Sequence, residues 1–193
     1  MKKRIAILGC ENSHANNFLK AIAENEAYEK VDALKATKNG AEDALKNAKS
    51  EQFGIVEKAI NAEMERINNE LYTERFNAPT IHFTDSNYNF FTPNDTGTGI
   101  AYKGLVVFDL AIMHLTNLPI LVHDSVVLKQ ISDDAVESII NQYISCGKQV
   151  VIALDKQESY SDKTAEMLNQ YAKLRLAPNG EELFGRSWGK KQN

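Results

Sequence analysis

Two carboxylates and one glycine-bearing loop are the residues best placed to do chemistry. Asp124 follows the apolar run Pro119-Ile-Leu-Val122, and Asp155 follows Gln149-Val-Val-Ile-Ala-Leu154. In open α/β sheets, ligands bind at the carboxyl ends of strands. An aspartate there can hold Mg²⁺ through a water beside a nucleotide. The structural alternative is that Asp124 merely caps the next turn, and for Asp155 that alternative is the stronger one. The loop Asp95-Thr-Gly-Thr-Gly99 precedes an apolar helical segment. Thr96, Gly97, Thr98 and Gly99 would offer hydroxyls and free N–H groups at a helix N-terminus, a combination that can cradle phosphate. Gly/Thr loops also serve as plain turns.

Other combinations fail on geometry or spacing. His123, Asp124 and Ser125 resemble a triad in letters, but adjacent strand residues point to opposite faces and cannot form one relay. The four histidines, His14, His82, His114 and His123, lack zinc spacing and read as structural or exposed. No Gly-x-x-x-x-Gly-Lys-Ser/Thr occurs, so the chain lacks a phosphate-binding P-loop.

These residues must be positioned by alternating elements. Ile5–Leu8 with Gly9 predicts a short buried strand and turn. A helix follows from Asn12 or Ser13 to about Tyr28, with Ala15, Phe18, Leu19 and Ile22 on one face. From Lys30 to Leu71 the chain is rich in Ala, Glu, Lys and Asn, and Asn39-Gly40 is expected to break it into two helices. Phe53, Val56, Ile60, Met64, Ile67 and Leu71 make one apolar stripe. It fits either a coiled-coil seam or a long helix lying on its own domain. Thr80–Thr84 and Tyr88–Thr92 predict a hairpin, and Ile100–Leu115 a buried helix. Two strand–helix units follow: 119–122 with 133–146, the helix closed by Gly147, and 149–154 with 161–171. Leu174–Leu176 adds an edge strand. The sum is an α/β protein: a mixed, mostly parallel sheet flanked by helices, an N-terminal βα unit and a long helix or coiled-coil arm.

Composition sets the frame. The chain has 193 residues, 43% apolar and 25% charged, with net charge −4, which excludes a disordered or collagen-like chain and any global pull towards nucleic acid. Cys10 and Cys146 are too few for a disulfide framework and leave two readings, a single bridge or, the one expected here, two free thiols in a reducing cytosol. No signal peptide and no membrane span is expected, so the chain is expected to be cytoplasmic, with no membrane partner.

From about Glu63 to Lys191 the sequence resembles the C-terminal head domain, of unknown function, of SMC-like and RecN-like bacterial ATPases. The matching stretches are Thr92–Gly104, Leu118–Ser125, Val150–Lys156, Leu176–Gly180 and Leu183–Trp188, in the family's order. The resemblance implies that Thr96, Gly97, Thr98 and Gly99 form a signature-type loop against the γ-phosphate of ATP held by an opposite subunit. Ile120–Asp124 would be the Walker B strand with Asp124 towards Mg²⁺, and Ser125 would stand where many such ATPases carry a catalytic glutamate. Leu45–Leu71 would be the end of a returning arm. Implied partners are a P-loop-bearing lobe, a second copy through head or coiled coil, and DNA only in the assembled complex, in repair or in mobile-element defence. ATP and Mg²⁺ would bind only with the P-loop partner, so the chain alone is not expected to be an active ATPase.

Lys3-Arg-Ile-Ala-Ile-Leu-Gly-Cys-Glu-Asn-Ser-His-Ala15 is similar to the opening of Gfo/Idh/MocA-type oxidoreductases, which hold NAD(P) at that turn. Gly9 is the only glycine of a Gly-x-Gly-x-x-Gly pattern, so this stretch supplies a βα fragment rather than a cofactor site. The expected divisions are 1–29 as that fragment, 30–75 as the arm and 76–193 as the head lobe. Against the half-head stand two alternatives: an NAD(P)-binding oxidoreductase fragment, and a coiled-coil interaction protein without a ligand site.

Overall fold

The computed structural model describes residues 12–72, 76–177 and 181–185, so the expected strand Ile5–Leu8 and the Gly9 turn lie outside the described residues. The chain divides into two compact units, residues 1–55 with 84–86, and residues 56–83 with 87–193.

Helix α1 runs unbroken over Asn12–Leu71, 60 residues, correcting the expected break at Asn39-Gly40. A helical glycine costs about 1 kcal/mol relative to alanine. Strong helix formers on both sides (Ala33 to Ala36, Ala41 to Ala44) and the Lys38–Glu42 pair at 3.4 Å offset it. In the first unit Phe18, Leu19, Tyr28, Val31, Leu34 and Leu45 are exposed.

The second unit begins with the foot of α1. Ile60, Met64, Ile67 and Leu71 are buried in this unit's own core with Leu110, Val136 and Ile139, which settles that part of the stripe as a helix lying on its own domain. Strands β1 (Thr80–Phe83) and β2 (Tyr88–Phe91) form an antiparallel hairpin, Thr80 opposite Phe91. The foot of α1 covers the outer edge of β1 with side chains. Asn61 accepts from the Ile81 N–H and donates to the Ile81 carbonyl, both at 2.9 Å, while Glu57 accepts from the Phe83 N–H at 2.9 Å. An unpaired strand edge is thus satisfied without a third strand.

Helix α2 (Thr98–Leu115) is the axis of the core, burying Val106, Val107, Leu110, Ala111 and Met113. It is long and apolar enough by length and composition to cross a membrane, where the sequence reading expected no such run. Those same apolar side chains pack the core. Its last turn is closed by Lys148 Nζ, which donates to the carbonyls of Met113 and Thr116.

Strand β3 (Ile120–His123), the single turn α3 (Ser125–Leu128), α4 (Asp133–Ser145), β4 (Gln149–Ile152) and α5 (Asp162–Tyr171) complete the unit. Gly147 follows α4 at φ +69, the left-handed position expected of a helix stop. Ser161 caps α5, and Glu137 of α4 holds that cap from the side, accepting from the Ser161 N–H at 2.7 Å and the Thr164 hydroxyl at 2.6 Å.

β3 pairs with β4 in parallel, Ile120 opposite Gln149. Among the described residues there are two two-stranded sheets, one antiparallel and one parallel. The protein is mixed α/β, but the expected mostly parallel sheet covered on both faces is corrected. Helices cover the inner face of β3–β4, while Ile120, Val122 and Val151 on the outer face are exposed. The apolar runs that suggested two covered faces have one.

Four carboxylates tie elements together. Hydrogen bonds hold each below its ordinary value of 4.5: Glu57 through the Phe83 N–H and His82, Glu63 through Arg66, Glu70 through Gln142, and Glu137 through Ser161. A depressed carboxylate stabilises the fold above its unfolded value, and that contribution is lost as pH falls through the folded value. Melting temperature is therefore expected to hold steady towards pH 5 and fall below about 4.5. In Glu137→Gln the acid-side drop should be shallower, as followed by circular dichroism.

Candidate functional site

The two sequence candidates sit on neighbouring elements of the second unit, the loop opening α2 and Asp124 opening α3. β3 lies along the flank of the core and delivers His123 and Asp124 in opposite directions, as strand alternation requires. His123 is buried, and Asp124 is exposed. Asp124 caps α3, its Oδ1 accepting from the Ser125 N–H at 2.6 Å. Asp155, the other strand-end carboxylate, is ion-paired to Lys129, the residue closing α3. Asp155 is thus already paired with a cation, whereas Asp124 has no ion pair among the described residues.

The loop before α2 is built by its own side chains. Asn94 sits in the left-handed region at φ 58, and Asp95 Oδ1 accepts from the Gly97 N–H at 2.9 Å. Thr96, Gly97 and Thr98 are exposed at the opening of the helix. The first-turn N–H groups there have no intrahelical acceptor. Gly99 has a second role that sequence alone did not suggest. A Cβ at this position would lie 2.6 Å from the Gln130 carbonyl oxygen, so only glycine lets the chain leaving α3 approach the first turn of α2. Asp124 opens α3 and Gln130 follows it, so the Thr96–Gly99 loop and the Asp124 carboxylate belong to elements in direct contact.

That contact has a measurable consequence. Gly99→Ala is expected to cost about 1–3 kcal/mol, since backbone rather than a flexible side chain must move. Gly97→Ala, whose added methyl would face side chains alone, Asp95 at 3.3 Å and Ile100 at 3.7 Å, should cost less. Chemical denaturation of the two variants separates the cases.

Three histidines turn out to be bridges between elements. His82 meets Glu57 at 3.0 Å, His114 meets Glu63 at 2.7 Å, and His123 meets Asp109 at 2.9 Å. His123 is the most enclosed. Its Nε2 donates to Asp109 Oδ2 on α2, which leaves Nδ1, at 2.5 Å, to accept from the Tyr143 hydroxyl on α4. Burial pushes the Tyr143 hydroxyl well above its ordinary value. The network fixes the end of β3 between two helices, immediately before Asp124.

Sequence reasoning also missed Lys103. Its side chain is fully buried, Nζ donating to Asn68 Oδ1 at 3.0 Å and lying 5.0 Å from the centre of the Tyr72 ring. Burial lowers its pKa, with Asp95 partly opposing the shift. It links the foot of α1 to the second turn of α2. Its position in an apolar helix gave only the signal of one misplaced charge.

Among the described residues no group of three or more His, Cys, Asp or Glu side chains is arranged to hold a metal. A single carboxylate such as Asp124 suits Mg²⁺ only where phosphate oxygens complete the shell.

No curated protein matches the chain. A solved structure concerned with ATP-driven dimerization and DNA-stimulated activation of SMC ATPases is similar at 15% identity and a TM-score of 0.44, covering 68% of this chain and 81% of its own. Residues 58–188, the foot of α1 and the body built on it, match a family described as uncharacterised proteins conserved in bacteria (DUF2326), and the chain belongs to that family.

Proposed function

We propose that the chain supplies the C-terminal half of an SMC-like ATPase head, which binds nucleotide only when joined by a lobe carrying a P-loop. The observation carrying this reading is the approach of Gly99 to Gln130, which puts the Thr96–Gly99 loop beside the turn that Asp124 opens. A hydroxyl- and N–H-bearing helix start, packed against the helix that a strand-end carboxylate opens, suits a phosphate with its Mg²⁺.

In this reading Thr96, Gly97, Thr98 and Gly99 hold the terminal phosphate of a nucleotide seated on the partner lobe, and Asp124 faces its Mg²⁺. Bound Mg²⁺ would screen phosphate charge. Ser125 offers a hydroxyl where a carboxylate would orient water, so turnover in the assembled head is slow. DNA repair or mobile-element defence is the setting such a head serves.

The test uses the full chain mixed with a P-loop lobe from a related full-length protein. ATP and Mg²⁺ are expected to drive co-elution, and Asp124→Asn to abolish it while leaving the melting temperature within a few degrees. ATP hydrolysis by the chain alone at an ordinary enzymatic rate would sink the reading, as would undiminished assembly of Asp124→Asn.

Pairing through α1 is favoured by a separate observation, the exposure of Val31, Leu34 and Leu45. A partner helix would cover them. Because Ile60 is buried in the core, Leu34→Lys with Leu45→Lys is the informative change, expected to remove any concentration dependence of helicity.

A further inference from the structure

Ahead of its buried foot, helix α1 carries a second pattern. Every residue from 23 to 52 is exposed. Val31 and Leu45 fall on heptad position a, with Lys38 and Gln52 between and after them. Leu34 falls on position d, and Ala27, Ala41 and Ala48 fill the other d positions. The seam is narrow, with small residues set among large ones. Most helical stability comes from packing such a face, so a lone helix gains little from it in water.

The charges beside the seam select a partner. Lys35 and Glu42 stand at position e, Lys30 and Glu51 at position g. Two copies in parallel would set Lys30 against the partner's Lys35 on both sides, and Lys38 against the partner's Lys38. All of these are like charges. Turned antiparallel, with Leu34 against the partner's Leu45, the same residues become complementary. Lys35 then meets the partner's Glu42 and Lys30 meets the partner's Glu51, and two-fold symmetry repeats each contact. Size matches too: Val31 faces the partner's Ala48, and the Lys38 stem lies on the partner's Ala41. Sliding by one heptad either way destroys the match, bringing Lys35 onto the partner's Lys35 or Glu42 onto the partner's Glu42. Within the chain Glu42 meets Lys38 at 3.4 Å through one carboxylate oxygen, which leaves the other for a partner.

We propose that residues 27–52 of α1 pair antiparallel with the same residues of a second copy, in the register that sets Leu34 on the partner's Leu45. This rests on pairing through α1, and adds which helix is the partner and which way it runs. The occupant is a second copy because the charge pattern complements its own reverse.

The experiment is sedimentation of the full chain at micromolar concentration, without nucleotide or partner lobe, followed by disulfide cross-linking. A dimer is expected, and Leu34→Lys with Leu45→Lys should abolish it. Lys35→Glu sets a like charge against the partner's Glu42 and should weaken the dimer about three- to tenfold. In a parallel dimer the same change would relieve the clash with Lys30 and tighten it. Lys35→Glu combined with Glu42→Lys should restore the original affinity. In a chain carrying Cys10→Ser and Cys146→Ser, the Leu34→Cys and Leu45→Cys variants should cross-link to each other when mixed. Neither should cross-link to itself, since like positions lie about 16 Å apart along the pair. All four substituted α1 positions are exposed, so unchanged circular dichroism of the monomer confirms folding. Cross-links between like positions, or a tighter Lys35→Glu dimer, would overturn the antiparallel order and leave pairing through α1 standing. A chain that stays monomeric, or a dimer indifferent to the Leu34 and Leu45 changes, overturns both.

Discussion

Replacing Ile67 by alanine is expected to cost about 2–5 kcal/mol of unfolding free energy. Ile67 has no exposed surface and packs with Met64, Leu71 and the α2 and α4 core residues. Truncation removes several buried methyl groups and leaves a cavity that neighbouring helices cannot fill. For a chain of this size each kcal/mol moves the melting temperature by roughly 2–4 °C. Ile55→Ala provides the contrast. Ile55 lies in the same helix but is 57% exposed, and its loss should stay within about 0.5 kcal/mol. Equal effects at the two positions would mean that the foot of α1 is not part of the core.

That contrast also shows how far the sequence could be read. Spacing of three and four places Ile60, Met64, Ile67 and Leu71 on one stripe whether the stripe meets another chain or its own domain. Only the partner surface distinguishes the two, and that surface comes from α2 and α4. The helices with local stop and start signals were legible: Gly147 ends α4, and Ser161 begins α5. The continuity of α1 through Asn39-Gly40 was not, because a penalty of about 1 kcal/mol is easily outweighed by its neighbours. The sheet was over-read for a related reason. Runs such as Ile120–Val122 and Val150–Ile152 look covered on both sides, yet Val122 is 65% exposed.

At the site, residue types pointed to Asp124 and to the Thr96–Gly99 loop, but not to what joins them. Gly99 reads as a flexible loop glycine, and its contact with Gln130 depends on the path taken after α3. The Asp109–His123–Tyr143 network draws one residue from each of α2, β3 and α4, so no spacing in the chain announces it. Strand alternation separates His123 from Asp124, and the imidazole instead finds its partners, Asp109 and Tyr143, on two helices distant in sequence.

Lys103 yields the second large expectation, in alkaline stability. Its folded pKa is depressed below 10.5 by burial. Between that folded value and 10.5 the native chain binds fewer protons than the unfolded chain, so stability should rise with pH; below the folded value the cost of the buried charge is constant. Tyr72, Tyr143 and Tyr160 act in the opposite sense. Burial raises each above 10.0, so unfolding releases their protons more readily, and their contribution is lost once pH passes that value. Stability is therefore expected to climb on the alkaline side to a maximum near pH 10 and then fall. Lys103→Met removes the climb and leaves the fall. Its absolute stability at neutral pH reflects two opposed terms: relief of a desolvated ammonium, and an Asn68 oxygen left without its donor at about 1–3 kcal/mol. The shape of the pH curve is free of that cancellation. Denaturant midpoints for both proteins from pH 7 to 11 would decide, and parallel curves would show that Lys103 keeps an ordinary proton affinity in the fold.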